Sequence, residues 1–250
     1  MCFTISVTTE KTEKAILDYL NSNTGVQMHF AFNDFREKYL VSGFSHPELP
    51  IVKQGSIELG EWGLIPSFII RENQAKDIQN KTLNARDDTI HERKSYKDAI
   101  ISQRCVLVID GFFEWRYTPT QKIPYYVYPT DSTVFYLRCI YNSWTDKETG
   151  EMKNTFSIIT TEANPMMKFI HNSKKRMPLI LILNKDDIAR WIDPESSLES
   201  VNQLMKPHNE SHMNAHTISK DASYINKNRN YPEIKDLVEY PESKQGDLFE

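Results

Sequence analysis

The chain lacks an excess of positive charge. Its 30 Lys and Arg face 34 Asp and Glu, a formal net charge of −4 over 250 residues. Any affinity for nucleic acid must therefore come from a local basic surface rather than the whole molecule. It lacks long apolar runs. None reaches about 18 residues, so no membrane-spanning helix is expected. The first residues have neither the basic segment nor the apolar segment of a signal peptide. It is poor in cysteine: Cys2, Cys105 and Cys139 are odd in number and without metal-ligand spacing. That argues against a disulfide framework or a zinc site and for a reducing compartment. No metal or cofactor is expected, and the location expected is the cytoplasm. The chain also lacks internal repeats and regular β–α alternation, which excludes a doubly wound sheet.

What is there reads as one domain of many short strands with a few helices, an α+β class. Strands are expected at Cys2–Thr8, Lys38–Val41, Ile51–Val52, Ser56–Ile65, Tyr125–Tyr128, Val134–Tyr141, Thr155–Thr161 and Leu179–Leu183. Cys105–Trp115 is an apolar run broken by Asp110-Gly111, which predicts a tight hairpin. Helices are expected at Glu10–Leu20, Ser95–Gln103, Lys185–Trp191 and Leu198–Leu204, with one beginning near Asn84–Glu92. Asn164–Ile170 is a short helix with Pro165 at its first position. The domain is placed at 1–230. Residues 231–250 are polar, charged and proline-punctuated, the composition of a disordered tail.

Cys2 carries the most distinctive chemistry. Without Met1, its α-amine and thiol form a 1,2-aminothiol, a group suited to capturing an aldehyde as a five-membered thiazolidine. The amine titrates at about 7.7–8.0 and a free thiol at about 8.5, so a useful fraction of each is nucleophilic at pH 7. The plain alternative is a small apolar strand residue.

Four further segments stand out. Glu61-Trp62-Gly63-Leu64-Ile65-Pro66-Ser67-Phe68 offers either core packing or aromatic faces for unpaired bases. Asn84-Ala85-Arg86 offers a helix cap and a solvated cation, or an orienting amide and a phosphate clamp. In Gly111-Phe112-Phe113-Glu114-Trp115, a carboxylate lies among aromatics. Burial there would raise its pKa toward neutrality, where it serves as acid and base; the alternative is an outward-facing strand position. His171 is either a helix-end histidine or a proton shuttle near pH 7.

Taken together and in order, these segments resemble SRAP domains (SOS-response-associated peptidase). The match is carried by Met1-Cys2, Trp62 to Pro66, Asn84 to Arg86, Gly111 to Trp115 and Thr160-Thr161 before Glu162-Ala163-Asn164. Ile170-His171 with Arg176-Met177-Pro178, and a late His216-Thr217-Ile218-Ser219, complete it. The resemblance runs from Met1 to about Asn230. It implies a single SRAP-type domain with an irregular, mainly antiparallel β-barrel-like core and flanking helices. It implies covalent capture of abasic sites in single-stranded DNA during the DNA damage response. It also implies association with self-removal of Met1, and a lyase activity. Cys2 would be the crosslinking nucleophile. Asn84 would hold the N-terminus or the sugar, Glu114 would move protons, and His171 would help open the sugar ring. Arg86 would hold a phosphate, Trp62 and Phe68 would contact bases, and Arg71, Lys174, Lys175 and Arg176 would add positive charge along the DNA path.

The chain departs from the family pattern. Phe3-Thr4 stands where Gly-Arg is common, so either Arg71, Lys81 or Arg104 replaces the missing phosphate contact or affinity is lower. Phe68 replaces a commoner tryptophan, Asp88 a commoner Glu, and Ser173-Lys174-Lys175 are extra. Two rival readings remain at this point. One is an N-terminal-nucleophile amidohydrolase, with Asn84 in its oxyanion hole. The other is a single-strand-binding adaptor that does not need Cys2. A monomer is expected, bound to the nucleoid when on DNA. The end of the chain, with Gln245, Leu248 and Phe249, is similar to the short peptide by which repair proteins dock on a bacterial sliding clamp.

Overall fold

Alternation along the strands sorts this chain's apolar residues into two layers. The computed structural model describes residues 2–22, 25–31, 35–130, 134–181 and 185–241. In chain order the elements are β1 (Thr4–Val7), α1 (Thr9–Ser22), β2 (Gln27–Met28), β3 (Lys38–Ser42), β4 (Glu48–Lys53), β5 (Ser56–Trp62), α2 (Glu72–Gln79), β6 (Asn84–Arg86), α3 (Ala99–Ser102) and β7 (Arg104–Ile109). They continue as β8 (Gly111–Tyr117), β9 (Lys122–Pro129), β10 (Phe135–Thr145), β11 (Met152–Glu162), α4 (Pro165–Ile170), β12 (Arg176–Pro178), β13 (Ile180–Leu181), α5 (Lys185–Ile192), α6 (Leu198–Gln203) and β14 (Met213–Thr217). Among the described residues no helix is long and apolar enough to cross a membrane.

One sheet runs β14-β9-β8-β1-β3, and a larger one runs β12-β11-β10-β7-β4-β5-β2. Strand β11 also pairs in parallel with β5. The strands β4, β5, β11, β10 and β7 therefore close into a five-stranded ring, antiparallel except at that seam. This is the α+β, barrel-like core expected. On β7, Cys105, Leu107 and Ile109 point into a core shared with Cys2, Trp62, Phe112 and Phe156. Val106 and Val108 point the other way, into a second core with Ile16 of α1, Ile100 of α3 and Trp191 of α5. Strands covered on both faces read as continuous apolar runs, as Cys105–Ile109 does.

Several expectations are corrected. Asp110-Gly111 is not a hairpin turn, because β7 and β8 lie in different sheets. The chain crosses between sheets there, and the turn-forming Asp is instead a buried acceptor. Gly111 is needed for close approach: a Cβ would meet the Tyr126 ring at 2.5 Å. Residues 84–92 begin as strand β6 rather than a helix, because Asn84 to Arg86 pair with Ile158 to Thr160. The helix expected at Ser95–Gln103 shortens to Ala99–Ser102. Arg104 is 1% exposed and no phosphate contact. It donates to the carbonyls of Trp191 and Ile100 at 2.7 and 2.9 Å, and to those of Ile101 and Asp193. It thus caps the C-terminal carbonyls of two helices, a favourable place for a cation.

The tail expected from 231 is packed as far as Tyr240. Ile234 is fully buried, Val238 N donates to Thr217 O at 2.9 Å, and the Tyr240 hydroxyl donates to Ile218 O at 2.7 Å. Gln245, Leu248 and Phe249 lie outside the described residues.

A buried acid–base site beside Cys2

Three elements bring Cys2, Glu114 and His171 together. Cys2 precedes β1, which pairs antiparallel with β8 through Ile5–Phe112 and Ser6–Gly111. On β8, Glu114 shares the face of Phe112, which lies in the same core as Cys2. Phe113 points the opposite way, into a separate cluster. Period-two alternation alone thus aims the carboxylate inward. His171 ends α4, whose first turn is fixed by Asn164 accepting from Met167 N at 2.9 Å. The helix end is tied to β8: Asn172 and Tyr117 exchange two hydrogen bonds of 2.8 and 3.1 Å. Arg116 donates to Phe169 O, with its guanidinium 3.6 Å over the Phe169 ring. Nothing in the sequence pattern marked Arg116 or Asn172, because their partners are about 50 residues away.

The geometry fixes the protons. His171 Nδ1 lies 2.9 Å from Arg176 O, and a carbonyl only accepts, so Nδ1 carries the hydrogen. Burial pushes His171 down to about 4, so the ring is neutral near pH 7 and Nε2 offers a lone pair. That atom lies 4.0 Å from Glu114 Oε2. Burial pushes Glu114 up to about 7. The pair therefore holds a proton that neither group binds tightly at neutrality.

With Met1 in place, burial pushes the Cys2 thiol far up, and the charge of Glu114 pushes it the same way. The direction is opposite to that expected of the free aminothiol, and it favours a neutral sulfur that needs a base.

Asn84 faces the same core. It lies opposite Ile158, which belongs to the Cys2 cluster. Its Oδ1 and Nδ2 are both buried with no hydrogen-bond partner. Leaving such groups unmet costs about 1–3 kcal/mol each, so the amide is open to a partner from outside the protein, water or ligand. Two residues along β6, on the same side, Arg86 reaches solvent.

Arg86 lines an open groove of about 640 Å³ with Asp87, Asp88, Thr161, Glu162, Lys174, Lys175 and Arg176. The groove is of mixed charge rather than plainly basic. Arg86 pairs with Asp88, and Arg176 pairs with Asp87 at 2.9 Å and donates to Thr160. The Arg86 hydrogen bond holds the Asp88 carboxyl below its usual range. Lys174 and Lys175 are exposed.

Trp62 is corrected as a base contact. It is 0% exposed, donates from Nε1 to Leu83 O at 2.8 Å and stacks on Phe156. Phe68 is 38% exposed, with Lys94 Nζ 4.2 Å over its ring. Arg71 is also exposed, at the start of α2. Phe68 and Arg71 do not line the groove.

A ring of five strands flanked by a second sheet, with a carboxyl and an imidazole buried 4.0 Å apart, is the architecture with which any relative must agree. The sequence profile of the SOS response associated peptidase (SRAP) family matches residues 1–225, and the chain belongs to that family. Abasic site processing protein YoqW of Bacillus subtilis is 32% identical over 210 residues, 78% of this chain and 87% of its own length. Abasic site processing protein HMCES of Gallus gallus is 31% identical over 166 residues, 58% of this chain and 48% of its own. A crystal structure of a Bacteroides thetaiotaomicron protein matches with TM-score 0.85 at 36% identity, over 95% of this chain and 100% of that chain.

Proposed function

We propose that the protein captures abasic sites in single-stranded DNA by forming a thiazolidine at Cys2 once Met1 is removed, shielding the lesion in the DNA damage response. The names of the relatives support abasic-site processing. The observation that carries the covalent reading is the acid–base pair Glu114–His171 at 4.0 Å, in the core that also encloses Cys2.

The ring-opened sugar presents an aldehyde. The α-amine of Cys2 adds to its carbon, giving a carbinolamine. Glu114, protonated in part at pH 7, gives a proton to the departing hydroxyl, which leaves as water, and a protonated imine remains. The neutral thiol then loses its proton to the Glu114 carboxylate, directly or by way of His171 Nε2, which restores the acid. The thiolate sulfur attacks the carbon of the protonated imine, and the nitrogen keeps its proton as the ring closes. The balance is aldehyde plus aminothiol giving thiazolidine plus one water. Because the thiol is held neutral, the amine leads and the sulfur follows. The open Asn84 amide is placed to orient the sugar or the N-terminus.

The test is a denaturing gel of the processed protein with an abasic single-stranded oligonucleotide. A covalent band is expected, and Cys2→Ala should abolish it. Cys2→Ser keeps the amine and should leave only an imine that borohydride traps. A band from Cys2→Ala without reductant would remove the thiazolidine. Amide turnover without a band would favour the hydrolase reading instead.

The groove of Arg86, Lys174, Lys175 and Arg176 is proposed as the backbone path. Affinity should fall with salt by about 0.7 log unit per log unit for each phosphate neutralised. Lys174→Ala/Lys175→Ala should lower that slope by more than Arg86→Ala, because Arg86 must first leave Asp88. Equal slopes in all three proteins would place the DNA elsewhere. Gln245, Leu248 and Phe249 are proposed as a separate docking peptide for a sliding clamp.

A further inference from the structure

We propose that the Lys235–Asp110 ion pair is a positioning latch that sets the register of the strand carrying Cys2. The role rests on Cys2 as the reacting residue. The ladder between β1 and β8 is short, with Ile5–Phe112 and Ser6–Gly111 as its pairs. On its other edge β1 is irregular, with a register shift against β3 between Ile5 and Val7. So short a ladder gives few backbone contacts to hold the strand end, although β1 is buried along its length. A shift of β1 along β8 would carry Cys2, just before the strand, away from Glu114.

Asp110 supplies what the ladder lacks. It immediately precedes β8 and is 1% exposed. Its Oδ1 accepts from Thr8 N at 2.9 Å, and its Oδ2 accepts from Ser6 Oγ at 3.0 Å. One carboxylate thus grips β1 at two points, from a residue bonded to the strand of Glu114. Tyr126 of β9 adds a third hydrogen bond at 3.2 Å. The countercharge comes from far along the chain: Lys235 Nζ sits 2.5 Å from Asp110 Oδ2. Lys235 is delivered by the turn Pro232–Lys235, anchored by fully buried Ile234 and by His216 Nε2 donating to Lys235 O at 2.6 Å. Its ammonium also lies 5.4 Å from the ring centres of both Tyr39 and Tyr126. Removing the cation would leave a buried carboxylate without its countercharge, a costly state. The grip on Ser6 and Thr8 would loosen with it.

Lys235→Met in the full chain is the test, read by amide exchange, by single-turnover adduct formation and by anisotropy with intact single strands. The Ile5–Val7 amides should exchange about tenfold faster while those of β7 and β10 stay unchanged, as expected for a local opening. Adduct formation should slow by about 10- to 100-fold, the scale of a misplaced reacting group. Affinity for intact strands should hold, and Lys235→Arg should restore both exchange and rate. If Lys235→Met fails to fold, Asp110→Asn carries the same expectations. Unchanged β1 exchange, or a rate loss that Lys235→Arg does not rescue, would overturn the latch. If the wild type forms no adduct, the abasic-site reading fails, and the exchange measurement still decides the latch.

Discussion

Glu114→Gln is expected to slow adduct formation by about 10²–10⁴-fold, the usual contribution of a positioned proton-transfer group. The substitution keeps the shape of a fully buried side chain and removes only the exchangeable proton. Binding of intact single strands, measured by anisotropy, should therefore be nearly unchanged. The wild-type rate should show a limb near pH 7, where Glu114 changes form, and the variant should lack it. Stability carries a second signature. Glu114 is raised in the fold from 4.5 to about 7, so its contribution is present at low pH and is lost as pH rises across that span. His171 is lowered from 6.5 to about 4, so its contribution is present above 6.5 and is lost as pH falls toward 4. The two slopes oppose each other between 4.5 and 6.5. In Glu114→Gln the His171 slope should stand alone, with stability rising from pH 4 to 6.5. Equal losses of rate and affinity would mean that Glu114 only holds the fold.

Trp62→Ala should cost about 3–5 kcal/mol, the range for removing a large aromatic from a core. At about 2–4 °C per kcal/mol for a chain of this size, the melting temperature should drop by about 6–20 °C. The ring is packed on three sides. Phe156 stacks on it with centroids 6.3 Å apart, Leu83 O accepts from Nε1, and a Cβ at Gly43 would meet it at 3.0 Å. Trp62→Phe should recover part of the stability and bind single strands as the wild type does. Phe68→Ala should change stability by no more than about 0.5 kcal/mol, as exposed sites do. Loss of DNA affinity in Trp62→Phe with an unchanged melting temperature would return Trp62 to the list of base contacts.

What could be read from the sequence follows the range of each interaction. The strands of the ring were legible because runs of apolar and β-forming residues are local features. The inward aim of Glu114 follows from its two-residue offset from Phe112. The helix Pro165–Ile170 was legible from Asn164 and Pro165 alone. The misreadings share a cause in distant partners. Asp110-Gly111 has hairpin composition, but its carboxylate answers to Ser6, Thr8, Tyr126 and Lys235. Asn84 looked like a cap because β11, its partner strand, comes over 60 residues later. Arg104 looked like a surface cation because the helix ends that it caps are not visible in its neighbourhood. Polar composition marked 231–241 as tail, yet Ile234, Val238 and Tyr240 suffice to seat it. The full burial of Cys2 was illegible for the same reason, since the core around it is built from the whole chain.

The latch has a consequence for the order of synthesis. Ser6 meets Asp110 across 104 positions, and Asp110 meets Lys235 across 125. A ribosome adding about 5–20 residues per second makes the N-terminal end first. The carboxylate that grips β1 follows only after Asp110 is made, and its countercharge only after a further 125 positions. Until then the beginning of the nascent chain is without the contacts that close around Cys2. On the proposed function, removal of Met1 would have an interval before the site is assembled, and a truncated product lacking Lys235 would carry the proposed nucleophile without its latch. A residue made before every strand of the fold is thus held only when Lys235 has been added.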